Sequence, residues 1–249
     1  MTGTEEPLTG GAIRAGVVRV GDTVRRPRTD RSQFVERVLR RLESASVAGV
    51  PRWLGSDAEG RDVLSYQHGD TGHDRESWSD TQLTALVRLV RSMHDALAGS
   101  PEAEGAETVC HNDIAPWNVI LAGDVPVGLI DFDDAAPGRR IEDVAYLAWV
   151  FCGLGTRGPP GPGVDEQSRR IRHVCSAYSD DRPLQPPIGS GFVDALLAQY
   201  DRISRFRRER ARLAADAETR AFNEGRAAEI EASRDWVRAH RVELDPSAR

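Results

Sequence analysis

Several polar side chains interrupt the apolar stretch "HNDIAPWNVILAGDVPVGLIDFDD", which begins at His111. Asp113 precedes Asn118 by five residues, and Asp131 and Asp133 follow two short apolar runs. A plain buried hairpin does not need acids and an amide at these places. Hard oxygen ligands from a few side chains suit Mg²⁺, because this ion keeps some of its waters and shares phosphate oxygens. The residue types therefore indicate chemistry on a phosphate group.

A hairpin is the element that would bring these side chains together. The two apolar runs on either side of "AGDVP" are typical of paired strands, and their pairing returns Asp131 to the neighbourhood of Asn118. One carboxylate and one amide oxygen then converge on a single point, and Asp113 is left to hold a hydroxyl nucleophile. Phosphoryl transfer needs little more than such positioning and charge neutralisation.

The residues ahead of this stretch predict a small β-rich region. Gly16–Pro27 is expected to form a hairpin, and Gly60–Gln67 a further short strand. Thr29–Ala45 is expected to form a helix capped by Asp30 or Ser32. Its apolar face would consist of Phe34, Val35, Val38, Leu39 and Leu42.

The residues that follow are mostly helical in pattern. Ser79–Ser100 is the clearest helix, Arg140–Leu154 is an apolar one, and most of 165–241 has helical spacing broken at 180–191. Strands first and helices later are typical of an α+β fold. A length of 249 residues fits one large domain or two lobes that share a cleft. We expect a β-rich lobe at 1–67 and a larger, mainly helical lobe at 68–249.

Composition narrows the class of protein. The net charge of −6, with mixed signs, does not indicate a nucleic-acid partner. No apolar run approaches the roughly 20 residues of a membrane span, and "MTGTEEPLTG" lacks the apolar core of a signal peptide. The three cysteines have no metal-ligand spacing and cannot all pair, so we expect reduced thiols and a cytoplasmic location. The oligomeric state is left open.

The central stretch resembles the catalytic core of kinases. "HNDIAPWN" matches the pattern H-x-D-x-x-x-x-N, and "IDFD" stands where kinases carry their metal-binding D-F-G. With the Pro-Trp before the Asn and "RRIEDVAYLAW" downstream, the chain resembles the aminoglycoside phosphotransferase and choline kinase-like family. The resemblance implies a two-lobed protein kinase-like fold and phosphorylation of a small-molecule hydroxyl, such as that of an aminoglycoside or amino alcohol. It also implies Mg²⁺ and ATP as cofactors, with GTP as an alternative.

The resemblance assigns roles to individual residues. Asp113 becomes the catalytic base or the group that orients the hydroxyl, and Asn118 and Asp131 become Mg²⁺ ligands. His111 would brace the loop by hydrogen bonding. Asp143 would tether the catalytic loop, although an ordinary acid at a helix start is an equal alternative.

Asp133 departs from the D-F-G pattern, which has glycine at its place. Two interpretations stay open: the side chain contacts a second metal or the acceptor, or it is a solvated turn acid.

The nucleotide-binding lobe also departs from the family pattern. Kinases hold the α- and β-phosphates with a lysine on the third strand, paired with a glutamate on the next helix, but this chain has no lysine. Arg25 stands in the lysine's place, with Arg26 as the adjacent alternative. Glu36 is the expected partner and Glu43 a second choice, although Glu36 could instead form a surface pair with Arg40.

The sequence gives only weak signals for the glycine loop, the adenine site and the acceptor pocket. Gly10 and Gly11 could let a backbone loop approach phosphate, or could form an ordinary turn. Adenine would lie against backbone groups between Ser65 and Gln67. An acidic acceptor pocket could include Glu229 and Asp235, which are otherwise solvated helix acids.

Three other classes of protein compete with the kinase hypothesis. A non-catalytic nucleotide-binding relative would explain Arg25 and the thin glycine loop. A protein kinase is disfavoured because "RRIEDVAYLAW" replaces the activation segment. A helical scaffold or nucleic-acid-binding protein would require the hairpin acids to be accidental.

Overall fold

The computed structural model describes residues 4–8, 16–75, 77–154, 162–179 and 183–247. The chain divides into two compact units. The first comprises Met1–Arg75 with Thr81–Arg140, and the second comprises Glu76–Asp80 with Ile141–Arg249. All described strands belong to the first unit, and the described part of the second is helical, which confirms the α+β class. The expected division into a nucleotide-binding lobe at 1–67 and a helical lobe at 68–249 stays a prediction.

The first unit opens with a five-stranded antiparallel sheet in the order β1-β2-β3-β5-β4. Its strands are β1 (Glu6–Pro7), β2 (Val18–Val20), β3 (Thr23–Arg26), β4 (Trp53–Ser56) and β5 (Asp62–Ser65). The hairpin expected from the sequence is β2-β3, which turns between Val20 and Thr23. Strand β4 had no prediction, and it pairs with β5 across an irregular register.

Helix α1 (Ser32–Ser44) follows β3 and buries all five residues of its predicted apolar face. The predicted caps are wrong, because Arg31 occupies the N-cap position and offers no side-chain cap. Ser32 instead donates its hydroxyl to the carboxylate of Asp62 at 2.5 Å. A hydrogen bond to a buried charged acceptor is stronger than a neutral cap bond, so the hydroxyl is held there.

The rest of the first unit carries the central stretch. Helix α2 (Asp80–Leu97) lies within the predicted range 79–100 and buries the apolar residues that recur along it at helical spacing. Two small sheets follow, with the strand orders β6-β8-β9 and β10-β7. Their strands are β6 (Asp70–Thr71), β7 (Thr108–Cys110), β8 (Val119–Ala122), β9 (Val125–Leu129) and β10 (Ala136–Gly138). The β8-β9 pair is the predicted hairpin.

The turn after α1 lies directly on this hairpin. The backbone N–H of Leu129 donates to the carbonyl of Gly49 at 2.8 Å. Gly49 has a φ of +76°, and a Cβ placed there would lie 2.1 Å from the carbonyl oxygen of Val127. Only glycine fits both the conformation and the space. The β8-β9 hairpin is therefore held against the turn by backbone contact.

The second unit consists of helices in its described part. They are α3 (Arg140–Phe151), whose first residue belongs to the first unit, α4 (Val164–Ser179), α5 (Phe192–Leu213), α6 (Ala217–Ala239) and α7 (Arg241–Leu244). Its core includes the ring of Tyr200 packed 4.4 Å from that of Trp149. The Tyr200 hydroxyl donates to the carbonyl of Leu154 at 2.6 Å. Among the described residues, no helix is both long and apolar enough to cross a membrane.

Candidate active site

The loop after β7 is organised around His111, which is fully buried. The backbone N–H of Asp113 donates to Nδ1 of His111 at 3.3 Å. Because Nδ1 acts as an acceptor, Nε2 carries the proton and donates to the carbonyl of Ile130 at 3.1 Å. The imidazole also packs 4.7 Å from the ring of Phe132. His111 thus joins the loop to the residue that follows β9, and its bracing role stays a prediction.

Asn118 links the proposed base to the proposed metal site. Its Nδ2 donates to the carbonyl oxygen of Asp113 at 2.9 Å and to the Oδ2 of the same residue at 2.8 Å. Asn118 is buried, whereas Asp113 is half-buried. Since Nδ2 donates hydrogen bonds to Asp113, Oδ1 is the amide atom suited to coordinate a cation. The side chain therefore orients the Asp113 carboxylate while presenting an oxygen ligand.

The hairpin returns Asp131 to the same place. The backbone N–H of Ile130 donates to the carbonyl of Asn118 at 2.9 Å, so Asp131 follows directly after a residue bonded to Asn118. Asp131 and Asn112 both adopt a φ of 65°. Aspartate and asparagine tolerate this left-handed region better than other non-glycine residues. The two bends therefore occur where the residue type permits them.

Two carboxylates meet at the end of the hairpin. Protein atoms crowded around Asp131 and the nearby carboxylate of Asp133 raise the pKa of Asp131 to about 6. The Asp131 side chain is nevertheless exposed to solvent, so an ion from solution can reach it. A divalent cation would relieve the repulsion between the two acids. Carboxylate and amide oxygens form a donor set that fits Mg²⁺.

Two arginines of the β-rich region contact the segment 131–135, which follows β9. Arg26 places Nη1 2.7 Å from Oδ1 of Asp133, and Arg26 is 7% exposed. Arg31 donates Nη2 to the carbonyl of Ala135 and Nε to the carbonyl of Asp133. The Asp133 side chain is 12% exposed, so its interpretation as a solvated turn acid is wrong. Its carboxylate contacts Arg26 and lies near that of Asp131.

The structure does not bring Arg25 and Glu36 together. Arg25 lies 3.8 Å from Oδ2 of Asp57 and donates to the hydroxyl of Thr23. Glu36 forms the surface pair with Arg40, with 3.0 Å between Oε1 and Nε, and the alternative partner, Glu43, is exposed. Successive strand residues point to opposite faces, so Arg26 and not Arg25 lies on the face towards Asp133.

Several polar groups of the expected adenine site already form hydrogen bonds within the protein. The hydroxyl of Ser65 accepts from the N–H of Arg52 at 2.8 Å and from Nε2 of Gln67 at 3.1 Å. The backbone N–H groups of Ser65 and Tyr66 donate to the carbonyls of Arg52 and Asp22. An adenine would therefore need donors beyond Tyr66. Gly10 and Gly11 lie outside the described residues.

The remaining candidates lie in the second unit. Asp143 is fully buried in the first turn of α3, where an acid is favoured by the helix dipole. Glu229 pairs with Arg226, and Asp235 lies 3.0 Å from Arg234. Both of these acids are thus engaged in ion pairs on α6, and their surroundings give no support to an acidic acceptor pocket there.

Sequence reasoning missed two residues that shape the site, Asp62 and Arg31. Asp62 is fully buried next to Val63 and Leu64, and it lies opposite Arg26 in the β3-β5 pair. An acid at the start of a buried apolar strand was the signal that could have revealed it. Arg31 gave no signal, because its partners are backbone carbonyls distant in the sequence.

Comparisons with known proteins show the family of the chain. The model of the phosphotransferase enzyme family matches residues 96–159, which include the loop after β7 and the β8-β9 hairpin. The trifolitoxin immunity protein of Rhizobium leguminosarum bv. trifolii is 30% identical over 217 residues, which cover 76% of this chain and 78% of that protein. The chain belongs to the phosphotransferase enzyme family, and the resemblance to aminoglycoside phosphotransferases and choline kinases is confirmed.

Solved structures confirm the kinase-like fold. The gentamicin complex of APH(2″)-IIa has a TM-score of 0.59 at 14% identity, covering 94% of this chain and 93% of that one. An ethanolamine kinase of Plasmodium vivax has a TM-score of 0.65 at 10% identity, with coverages of 89% and 77%. A choline/ethanolamine kinase family protein from Mesorhizobium loti has a TM-score of 0.59 at 16% identity, with coverages of 99% and 93%. Identities this low establish the fold alone.

Proposed function

We propose that this protein transfers a phosphoryl group from ATP, or from GTP, to a hydroxyl of a small molecule with the help of Mg²⁺. One observation carries the proposal: a single amide, that of Asn118, contacts the carboxylate of Asp113 and presents its oxygen for a metal ion. The acceptor hydroxyl and the transferred phosphate must be held within a few ångströms of each other. A side chain that contacts both the base and the metal ion would hold the acceptor hydroxyl close to the phosphate.

The roles follow from the contacts of each residue. Asp113 accepts the proton of the acceptor hydroxyl, or orients it, with Asn118 holding its carboxylate in place. Asn118, Asp131 and Asp133 would hold Mg²⁺. The ion, when bound, neutralises charge on the phosphate oxygens. His111 is bonded to the backbone of Asp113 and to that of Ile130, and would tie together the two segments that carry Asp113 and Asp131.

The acceptor class is drawn from the relatives. Family members and structural neighbours bear the names of aminoglycoside phosphotransferases and choline or ethanolamine kinases. A curated relative that is 30% identical over 76% of this chain is a trifolitoxin immunity protein. We therefore propose an acceptor among aminoglycosides, amino alcohols and toxic compounds that carry a hydroxyl group, with modification of such a toxin as a route to immunity.

A second candidate is a nucleotide-binding relative without catalytic activity. The absence of lysine in the chain favours it, because kinases of this family hold the nucleotide phosphates with that residue. This candidate binds nucleotide but transfers no phosphate, so one experiment distinguishes the two.

Phosphate transfer from labelled ATP and GTP tests the proposal, with gentamicin, choline, ethanolamine and trifolitoxin as acceptors. The Asp113→Asn variant should reduce turnover roughly 10²–10⁴-fold, while thermal stabilisation by Mg²⁺-nucleotide stays near that of the wild type. Asp124→Asn, a change at an exposed hairpin acid, is the control and should keep full activity. Equal turnover of wild type and Asp113→Asn would contradict the assigned role. Nucleotide binding without transfer to any acceptor would favour the non-catalytic candidate.

A further inference from the structure

The short helical turn Phe132–Asp134 is held through its backbone by side chains from distant parts of the chain. Carbonyls at the end of a helical turn have no partner inside the turn and need a donor from elsewhere. The carbonyls of Asp133, Asp134 and Ala135 follow one another, and each faces such a side chain. The turn begins directly after Asp131, so its backbone determines where the two acids proposed to hold Mg²⁺ lie.

Arg31 supplies two of these contacts. Its Nη2 donates to the carbonyl of Ala135, and its Nε lies 3.5 Å from the carbonyl oxygen of Asp133. The guanidinium also lies over the ring of Phe34, 4.9 Å from the centroid. The planar fork of an arginine can span two carbonyls of one turn, which the point charge of a lysine cannot. Arg31 therefore contacts the backbone on both sides of Asp134.

The start of α1, from which this side chain leaves, is itself fixed. The backbone N–H of Arg31 donates to the hydroxyl of Thr29 at 3.2 Å, and the hydroxyl of Ser32 accepts the N–H of Thr29 at 3.0 Å. Ser32 in turn donates to the fully buried carboxylate of Asp62 on β5 at 2.5 Å. Because the start of the helix is tied to the sheet, Arg31 can hold the turn at a defined place.

Asn112 supplies the third contact, from the loop that carries Asp113. Its Nδ2 donates to the carbonyl of Asp134 at 3.0 Å. Its φ of 65° lies in the left-handed region, which glycine and asparagine adopt more readily than other residues. Glycine would allow the same bend, but only the amide reaches Asp134. The side chain of Asn112 therefore joins the loop of the proposed base to the turn of the proposed metal ligands.

We propose that Arg31 and Asn112 are positioning residues for Mg²⁺, which set the place of Asp131 and Asp133 relative to Asn118 through three backbone carbonyls. Neither side chain touches the ion in this proposal. Removing a group that orients a metal ligand typically costs about ten- to a hundredfold in metal affinity. The inference rests on the function proposed above and concerns how the same site holds its ion.

A Mg²⁺ titration tests the role of Arg31. Thermal shift in saturating ADP gives the Mg²⁺ concentration that produces half of the full metal effect. Arg31→Gln should raise this concentration about ten- to a hundredfold. Arg37→Gln is the matched control and should leave it unchanged. Arg37 also lies over the ring of Phe34, at 5.5 Å, and also approaches a backbone carbonyl, but that of Gln33 in its own helix.

Asn112→Gly separates the hydrogen bond from the bend, because glycine keeps the left-handed conformation and removes only the amide. It should raise the Mg²⁺ requirement about tenfold. If Arg31→Gln does not fold, Asn112→Gly decides the question alone. In both variants ADP binding in EDTA should stay at the wild-type level, since neither residue is proposed to contact the nucleotide.

Three results would overturn the inference. The first is a Mg²⁺ requirement in Arg31→Gln and Asn112→Gly equal to that of the Arg37→Gln control. The second is an equal loss of ADP binding in EDTA and in Mg²⁺, which would show damage to the whole site. The third is a wild-type Mg²⁺ requirement in Arg31→Lys, because a charge without the fork would then suffice. A wild-type protein whose nucleotide binding ignores Mg²⁺ would contradict the proposed function itself, which is a different outcome.

Discussion

Asp131 combines three properties that fit its proposed role as a ligand of Mg²⁺. It is open to solvent, it has a second carboxylate nearby, and it adopts a left-handed conformation at the end of a strand. A left-handed non-glycine residue costs on the order of 1–3 kcal/mol. The surrounding hydrogen bonds, above all those of His111 and Asn118, hold the residue in this conformation.

The metal site should depend on pH. The pKa of Asp131 is raised to about 6 by surrounding protein atoms and by Asp133, so protons compete with Mg²⁺ below that value. The Mg²⁺-dependent part of the thermal stabilisation by ATP should be complete at about pH 8 and lost as the pH falls through about 6. Without metal the sign is reversed: an acid with a raised pKa favours the folded state when protonated, so this contribution fades as pH rises from about 4 to 6.

Two variants check this assignment. Asp131→Asn should abolish the Mg²⁺-dependent part at every pH, and Asp124→Asn should leave the profile unchanged. A Mg²⁺ effect that is constant between pH 5 and pH 8 in the wild type would mean that Asp131 does not bind the ion.

Among individual residues, the sequence predicted contacts between positions that are close along the chain. Asp113, Asn118 and Asp131 could be selected because the loop and hairpin that join them are short and their spacing is fixed. The contact of Arg26 with Asp133 spans 107 positions, and its partner Asp62 depends on strand register. A shift of one residue reverses which strand side chains face the site, so the local sequence alone does not distinguish Arg26 from Arg25.

The turn between α1 and β4 is the element that fixes the hairpin. Gly49 allows the backbone of the turn to touch β9, and Asp131 lies two residues after the end of that strand. Because the contact is between backbone atoms, it requires that position 49 carry no side chain.

Gly49→Ala should therefore be more harmful than a conformational penalty alone. Gly60 has the same φ of +76° but nothing within 4 Å of the place that an added methyl group would take, so Gly60→Ala serves as the matched control. We expect about 1 kcal/mol of destabilisation for Gly60→Ala and roughly 2–4 kcal/mol for Gly49→Ala, which adds overpacking. Denaturant unfolding measures both, and equal losses would show that the contact does not position the hairpin.

Elements with a long apolar period were predictable, and short ones were not. Helices α1 and α2 appear with the apolar faces that their sequences indicate. Strands β6, β7 and β10 have only two or three residues each, too few to show an alternation. They form because the neighbouring chain supplies hydrogen-bond partners, which no local pattern encodes.

At the scale of the molecule, most of the candidate site belongs to one compact unit. The sheet with Arg26, the loop that carries Asp113 and the β8-β9 hairpin all lie in the first unit, whereas Asp143 lies in the second. The order of strands and helices along the chain predicted the class of fold. The division into compact units depends instead on tertiary contacts, and these place the loop with Asp113 in the same unit as the sheet and not with the late helices.

The three cysteines are buried, with Cys110 in the first unit and Cys152 and Cys175 in the second. Burial raises the pKa of both Cys152 and Cys175 to about 12, and only the thiolate attacks a disulfide reagent. In the folded protein no thiol should therefore react rapidly with the disulfide reagent, whereas in the unfolded protein all three should. In the folded protein, labelling rates followed by mass spectrometry would report the opening of each unit separately. A fast-reacting thiol in the native state would contradict this, and equal slow rates would mean that the units open together.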